Sequence, residues 1–278
     1  MKSNRRVLIR LSISLAIAVI LGPFQNQANA RLPVSLIASS VMGQGNFGSI
    51  KGKLVWDGPE VPAPRILVLQ GKADKDPAVC AVAANLIDHN LVVDPKTKGV
   101  KYAIVYLVKP KGENPDAVKA LVNKRPEVEI DQKGCEFIPF VSVLHQDQML
   151  IFKSSDAANH NIHLSPFTNP QVNSMLAPGG VMKTKFMTEK RPIPLSCDIH
   201  PWMKGYVMVF DHPFFAVSGE DGSFEIKGVP AGDQKMVIWQ SASGWVNPGK
   251  AAGMSVKVEA GGATDVGAVK LDPAIVRN

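Results

Sequence analysis

Short apolar stretches of strand length, separated by turns rich in glycine and proline, recur along most of this sequence. Examples are GSIKGKLVWDG at 48–58, KYAIVYLVKP at 101–110 and GYVMVFD at 205–211. The best helical pattern, NPDAVKALVNKRP at 114–126, is short. Many short strands with Gly/Pro turns and almost no helix are typical of a β-sandwich or a β-barrel. The sequence therefore predicts an all-β fold, with a hairpin-like pair of strands in MSVKVEAGGATDVGAVKL at 254–271.

The first 30 residues have the pattern of an export signal. A basic start, MKSNRRVLIR, is followed by the apolar run LSISLAIAVILGPF and by a small-residue cleavage site at 28–30. A membrane anchor is the alternative, but the apolar run is short of the roughly 20 residues that span a bilayer. We therefore predict a signal peptide at 1–30, a linker at 31–46 and a periplasmic or secreted bacterial protein without a membrane span. General secretion and twin-arginine export both stay open, because NRRVLIR loosely resembles a twin-arginine signal.

The mature chain is predicted to be mildly basic. The full sequence has a formal net charge of +7, and four of its positive charges lie in the signal peptide, which leaves about +3. We find no run of lysine and arginine interleaved with aromatic residues, which is the pattern expected for nucleic-acid binding. We therefore predict no nucleic-acid partner.

The stretch SCDIHPWMKGYVMVF at 196–210 places three different metal-ligand types at three-residue intervals. They are Cys197, His200 and Met203. A thiolate, an imidazole and a thioether together suit a soft or borderline metal, and a thioether is an unusual ligand for zinc. Two histidines and a cysteine with a long axial methionine describe the type 1, or blue, copper site. The loop therefore favours copper and requires one more histidine.

The missing histidine must come from a distant strand, because a loop this short cannot surround a metal alone. The segment ANHNIHLSP at 158–166 offers His160 and His163, and it follows a predicted strand. If these residues continue a strand, their odd separation places the two side chains on opposite faces. Only one of them can then face the metal, and this reasoning does not say which.

With HNIH followed by CDIHPWMKGYVMV, residues 126–211 resemble the cupredoxins, in particular the amicyanin and plastocyanin type. The first histidine ligand of that family is directly followed by asparagine. The resemblance therefore implies that His160 is the ligand and that Asn161 ties the two ligand loops together. It implies one type 1 copper ion held by His160, Cys197, His200 and Met203.

The resemblance also implies a function. The protein is expected to be an electron carrier that cycles between Cu(II) and Cu(I), with a redox protein docking near His200. Trp202 lies either beside an exposed edge of His200 or in the core. An enzyme is not expected, because a four-ligand site leaves no open position for a substrate. The alternatives are a copper-binding module for storage or delivery, and a non-redox binding or adhesion module.

A second resemblance covers the flanking segments. GEDGSFEIKGVPAGDQKMVIW at 219–239, with its DG-F-I strand entry and its GVPAG turn, resembles the carboxypeptidase regulatory-like, or transthyretin-like, β-sandwich. We therefore predict one such sandwich formed by 47–125 and 212–278, with the cupredoxin domain at 126–211 inserted between its halves. Three small domains in a row are the alternative.

The remaining cysteines and histidines are assigned from their context. In an exported protein two spare cysteines favour a disulfide, here Cys80–Cys135, over two buried thiols. Cys197 is expected to stay out of any disulfide, because a metal ligand must be a thiolate. His89, His145 and His212 are expected at the surface or in loops.

Overall fold

The computed structural model of the protein describes residues 46–277. The predicted signal peptide, and the predicted linker apart from Asn46, lie outside the described residues. The strands are β1 (Phe47–Trp56), β2 (Ile66–Val68), β3 (Leu86–Ile87), β4 (Ile104–Leu107), β5 (Glu127–Gln132), β6 (Phe137–Ile138), β7 (Val141–His145), β8 (Met149–Ser154), β9 (His160–Leu164), β10 (Val172–Leu176), β11 (Val181–Thr184), β12 (Ile193–Ser196), β13 (Lys204–Phe210), β14 (Phe215–Val217), β15 (Ser223–Pro230), β16 (Gly232–Gln240), β17 (Gly244–Trp245), β18 (Met254–Val258) and β19 (Ala263–Leu271). The predicted all-β fold is therefore confirmed.

The helical elements of the described residues are short. The α-helix α1 runs over Pro115–Lys124, close to the predicted helix. It begins where the side chain of Asn114 accepts a hydrogen bond from the amide of Ala117, which satisfies one free N–H of the first turn. Two 3-10 turns lie at Lys250–Ala252 and Pro273–Ile275. No helix within 46–277 has the length and apolar character needed to cross a membrane.

Strands from both ends of the described chain form one pair of sheets. One sheet has the order β15-β1-β19, and the other has the order β14-β4-β16-β17 with β18 also paired to β16. Side chains of β1 point alternately to the core and to solvent, so Ile50 and Leu54 are buried while Lys51 and Lys53 reach solvent. The two sheets enclose a common apolar core.

The last two strands correct one prediction. The segment MSVKVEAGGATDVGAVKL reads as a hairpin, yet β18 pairs with β16 while β19 runs parallel to β1. The turn at 259–262 carries the chain from one sheet to the other. The sequence shows the alternation of polar and apolar residues within each strand. Which strand each one pairs with depends instead on the core against which it packs.

The middle of the chain forms the second pair of sheets, with orders β10-β9-β12-β13-β7 and β11-β8-β5-β6. Between them lies an apolar core that includes Phe152, Ile162 and Leu164, all fully buried. All nine strands of this pair fall within residues 127–210. The predicted domain boundaries themselves stay a prediction.

Candidate metal centre

Strand β9 presents His160 to the interior. Its alternate residues His160, Ile162 and Leu164 are fully buried, whereas the side chain of His163 is 26% exposed on the other face. Nδ1 of His163 lies 2.8 Å from the carboxylate of Asp198, also near the surface. The two candidate histidines therefore point to opposite faces, and His160 is the one that reaches the interior.

The loop between β12 and β13 supplies the other three predicted ligands. A backbone turn closes it, because the amide of Met203 donates to the carbonyl of His200 at 2.9 Å. The amide of Cys197 donates to the carbonyl of Met203 at 3.3 Å. Cys197, His200 and Met203 are all at most 2% exposed, and Met203 shares a core cluster with Cys197.

Three of the predicted donor atoms converge. Nδ1 of His160 lies 3.1 Å from Nδ1 of His200, and Sγ of Cys197 lies 3.7 Å from Nδ1 of His200. One donor atom from each of these residues lies within 4.8 Å of the others. If a metal lies in one plane with the three donors, about 2.0 Å from each nitrogen and about 2.3 Å from the sulfur, the two nitrogens are about 3.5 Å apart. Each nitrogen is then about 3.7 Å from the sulfur. The observed sulfur–nitrogen distance of 3.7 Å matches this geometry and the nitrogen–nitrogen distance of 3.1 Å is about 0.4 Å shorter, so the donor set is close to that of a trigonal metal site.

Each of the two histidines predicted as ligands has a carboxylate at its far ring nitrogen, which no sequence pattern indicated. Nε2 of His160 lies 2.9 Å from Asp156, and Nε2 of His200 lies 2.9 Å from Asp76. A carboxylate on the far nitrogen fixes the tautomer and orientation of a metal-binding imidazole. It keeps the proton on Nε2, so Nδ1 is left to bind the metal. Asp156 stands four residues before His160, but its sequence gives no signal that separates it from an ordinary turn residue.

Asn161 connects the two ligand segments. Its amide N–H donates to Sγ of Cys197 at 3.3 Å, and its side-chain oxygen accepts from the amide of Asp198 at 3.1 Å. Its side-chain nitrogen donates to Asn173 on the neighbouring strand β10. The structure therefore gives Asn161 the contacts expected of a residue that ties the loops together.

Cys80 and Cys135 form a disulfide, and Cys197 is the free cysteine. Both sulfurs of the disulfide lie within 4.8 Å of a ring nitrogen of His200. A disulfide sulfur is not a thiolate, so these cysteines are not metal ligands. The ring of Trp202 lies 5.2 Å from the ring of His200 and packs, partly buried, against the core.

In the metal-free site the surroundings of His160 raise its pKa, whereas the surroundings of Cys197 lower its pKa. Burial lowers the pKa of His160, but the hydrogen bonds with Asp156 and Cys197 outweigh it and raise the pKa to about 9. Burial raises the pKa of Cys197, but His160 and nearby backbone N–H groups outweigh it, so the pKa falls below its usual value. Burial and the charge of His160 lower the pKa of His200. The site therefore holds a proton on His160 that a metal must displace.

Copper binding is expected to release at least about one proton per ion between pH 7 and 8, because the imidazole of His160 is protonated below about pH 9 and binds metal only when neutral. Affinity should therefore weaken as the pH falls. Calorimetric titration in two buffers with different heats of ionisation measures the proton count. The His163→Ala variant should release the same number, and binding without proton release in the native protein would contradict this charge state.

The other histidines lie apart from the centre. His89 and His212 are half-buried and lie in loops, as expected. The prediction for His145 was wrong, because it ends strand β7 and is 3% exposed. Its Nδ1 accepts a hydrogen bond from the amide of Asp147 at 3.1 Å, which satisfies the buried ring.

Comparison with solved structures finds copper proteins over about a third of the chain. A copper-containing nitrite reductase from Thermus scotoductus SA-01 is 21% identical with a TM-score of 0.28, and the match covers 30% of this chain and 22% of that one. A Cu(I) form of an amicyanin variant is 16% identical with a TM-score of 0.28, covering 30% and 82% of the two chains. A purple cupredoxin from Nitrosopumilus maritimus is 20% identical with a TM-score of 0.26, covering 30% and 99%. No protein-family model matches the sequence, and a comparison with curated proteins finds no match.

Proposed function

We propose that this protein is an exported type 1 copper protein that carries single electrons, with residues 126–211 as a cupredoxin domain. The observation that carries the proposal is the convergence of His160, Cys197 and His200 within 4.8 Å in a buried site. Both imidazoles turn Nδ1 inward and are anchored by carboxylates at Nε2. Met203, buried beside Cys197, is the fourth ligand in this proposal.

Copper bound there would supply reversible one-electron chemistry between Cu(II) and Cu(I). The chain's own contribution is to hold the donors in place. Cys197 is fixed by the amide of Asn161, and the two histidines by their carboxylates. Burial excludes water from the donors. A site that is fixed and dry in both oxidation states needs little rearrangement when an electron arrives or leaves.

The burial of the donors favours a carrier over an enzyme. His160 and His200 are fully buried and Cys197 is 2% exposed, so a substrate in solution meets none of them directly. We propose instead that a redox protein approaches on the His200 side, where the half-exposed carboxylate of Asp76 stands between solvent and the ring. The Cys80–Cys135 disulfide supports export, because disulfides persist in oxidising compartments.

We also propose that strands from 47–125 and 212–278 form one regulatory-like sandwich next to the copper domain. The support is that β1 pairs with β15 and β19, and β4 pairs with β14 and β16. Each of these ladders joins the first segment to the second. The ends of an inserted domain then lie close together, as insertion requires.

Redox titration of the copper-loaded protein is expected to show a reversible one-electron step. Met203→Leu should keep the visible colour and raise the reduction potential, because loss of the thioether removes an axial donor that favours Cu(II). Met175→Leu is the matched control, since Met175 lies on β10 and is 61% exposed, and its potential should not change. Loss of copper on each reduction would overturn the carrier role and favour storage or delivery.

A further inference from the structure

Residues 66–87, which we call the cap, cover the side of the candidate copper centre where His200 lies. The cap begins with β2 and ends with β3, and these two short strands pair with each other. Between them, Ala73, Cys80 and Ala81 are buried in the same core cluster as Cys197. The cap is therefore packed onto the ligand loop, although it comes from a distant part of the sequence.

Asp76 is the residue of the cap that touches a predicted ligand. Its Oδ2 lies 2.9 Å from Nε2 of His200, and its backbone carbonyl accepts from the amides of Val79 and Cys80 at 2.8 and 2.9 Å. Its φ is 45°, in the left-handed region that aspartate tolerates better than most residues. The side chain of His200 is fully buried, whereas that of Asp76 is 43% exposed. The carboxylate therefore closes the solvent edge of the imidazole.

The Cys80–Cys135 disulfide joins the two carboxylate–histidine pairs. Cys80 donates to the backbone of Asp76, whose side chain holds His200. Cys135, in the turn between β5 and β6, donates its amide N–H to Asp156 at 2.8 Å, and Asp156 holds His160. The disulfide bond thus connects the two segments that hold Asp76 and Asp156, the carboxylates next to His200 and His160.

We infer that the cap and its disulfide are part of the copper centre. Asp76 is a positioning residue that holds Nδ1 of His200 toward the metal, and the disulfide fastens the Asp76 loop to the turn that supports Asp156. Carboxylates behind ligand histidines orient the ring, and a cross-link limits the opening of a surface segment. The role of Asp76 toward a metal rests on the proposed function, whereas closure of the cap does not require metal.

Closure is tested on the metal-free protein by the rate at which iodoacetamide modifies Cys197. Cys197 is the single free thiol of the oxidised protein and the single thiol of the Cys80→Ser/Cys135→Ser variant. Modification should be at least about tenfold faster in the double variant, because the cap opens more often without its cross-link. Asp74→Asn, an exposed change in the same loop, should match the native rate. Equal rates in the native protein and the folded double variant would overturn the role of the disulfide.

The positioning role is tested on the copper-loaded protein with Asp76→Asn, which keeps the disulfide and changes only a half-exposed side chain. Extraction of copper by a chelator should be about 10- to 100-fold faster, as expected when a partner of a ligand histidine is lost. The reduction potential should rise, because His200 becomes a weaker donor and a nearby negative charge is lost. Asp76→Glu should restore part of both effects, and Asp74→Asn should show neither.

The outcomes separate this inference from the proposed function. Normal copper binding with unchanged extraction rate and potential in Asp76→Asn would overturn the role of Asp76 and leave the carrier proposal standing. A native protein that binds no copper would overturn the carrier proposal and the role of Asp76 together. The iodoacetamide experiment would still decide whether the disulfide closes the site.

Discussion

Replacing Cys197 with serine is expected to abolish the intense visible absorption of the copper-loaded protein. That absorption arises from the covalent bond between copper and a thiolate, and serine offers a hard, weakly donating oxygen instead. No other thiolate can take its place, since Cys80 and Cys135 are joined in a disulfide and the sequence has three cysteines. Absorption and electron paramagnetic resonance spectra of the variant, loaded with one equivalent of Cu(II), measure the change.

Ser196→Ala is the matched control for this experiment, because Ser196 is the last residue of β12 and directly precedes Cys197. The control should keep the full absorption. The serine variant should remain folded, since its hydroxyl can still accept the hydrogen bond that the amide of Asn161 donates to the sulfur. Unchanged colour in Cys197→Ser would show that the copper is held elsewhere.

Replacing His160 with alanine is expected to weaken copper binding by more than about 100-fold. Loss of a residue that merely supports a ligand costs 10- to 100-fold in affinity, and His160 is itself a proposed ligand. The substitution also leaves the carboxylate of Asp156, 7% exposed, without its imidazole partner. The metal-free variant should therefore unfold at a lower temperature than the native protein, and competition with a chelator of known affinity measures the loss of binding.

His163→Ala is the control on the same strand, and its copper affinity should stay close to the native value. His163 faces away from the centre and pairs with Asp198 near the surface, where ion pairs contribute little to stability. Native affinity in His160→Ala together with a lost site in His163→Ala would assign the ligand to His163. That result would also show that the side chain on the buried face of β9 is not the one that binds.

The candidate ligands could be predicted from the sequence because the residues that suggest them are close together in the chain. Cys197, His200 and Met203 stand on one loop, and the alternation of β9 separates His160 from His163. The structure brings three of these donors together. The contacts of Asn161 were likewise foreseeable, because it adjoins a ligand and faces the ligand loop.

The supports of the site could not be read in this way. Asp76 lies 124 residues before His200, and nothing in its own segment distinguishes it from Asp74, the other acidic residue of the cap. The role of Asp76 depends on how the cap packs against the ligand loop, and the hydrophobic periodicity of the sequence contains no information about that packing. The same limit explains β18 and β19, whose alternation was recognised while their partners were not.

The most direct test of the account is a titration of the metal-free protein with Cu(II), followed by absorption and metal analysis. The account predicts one copper per chain, with an intense thiolate-to-copper absorption that reaches its maximum at one equivalent. It also predicts that zinc does not displace the copper. A protein that binds no Cu(II), or that binds zinc in strong preference, would contradict the assignment of His160, Cys197, His200 and Met203 as a type 1 copper centre.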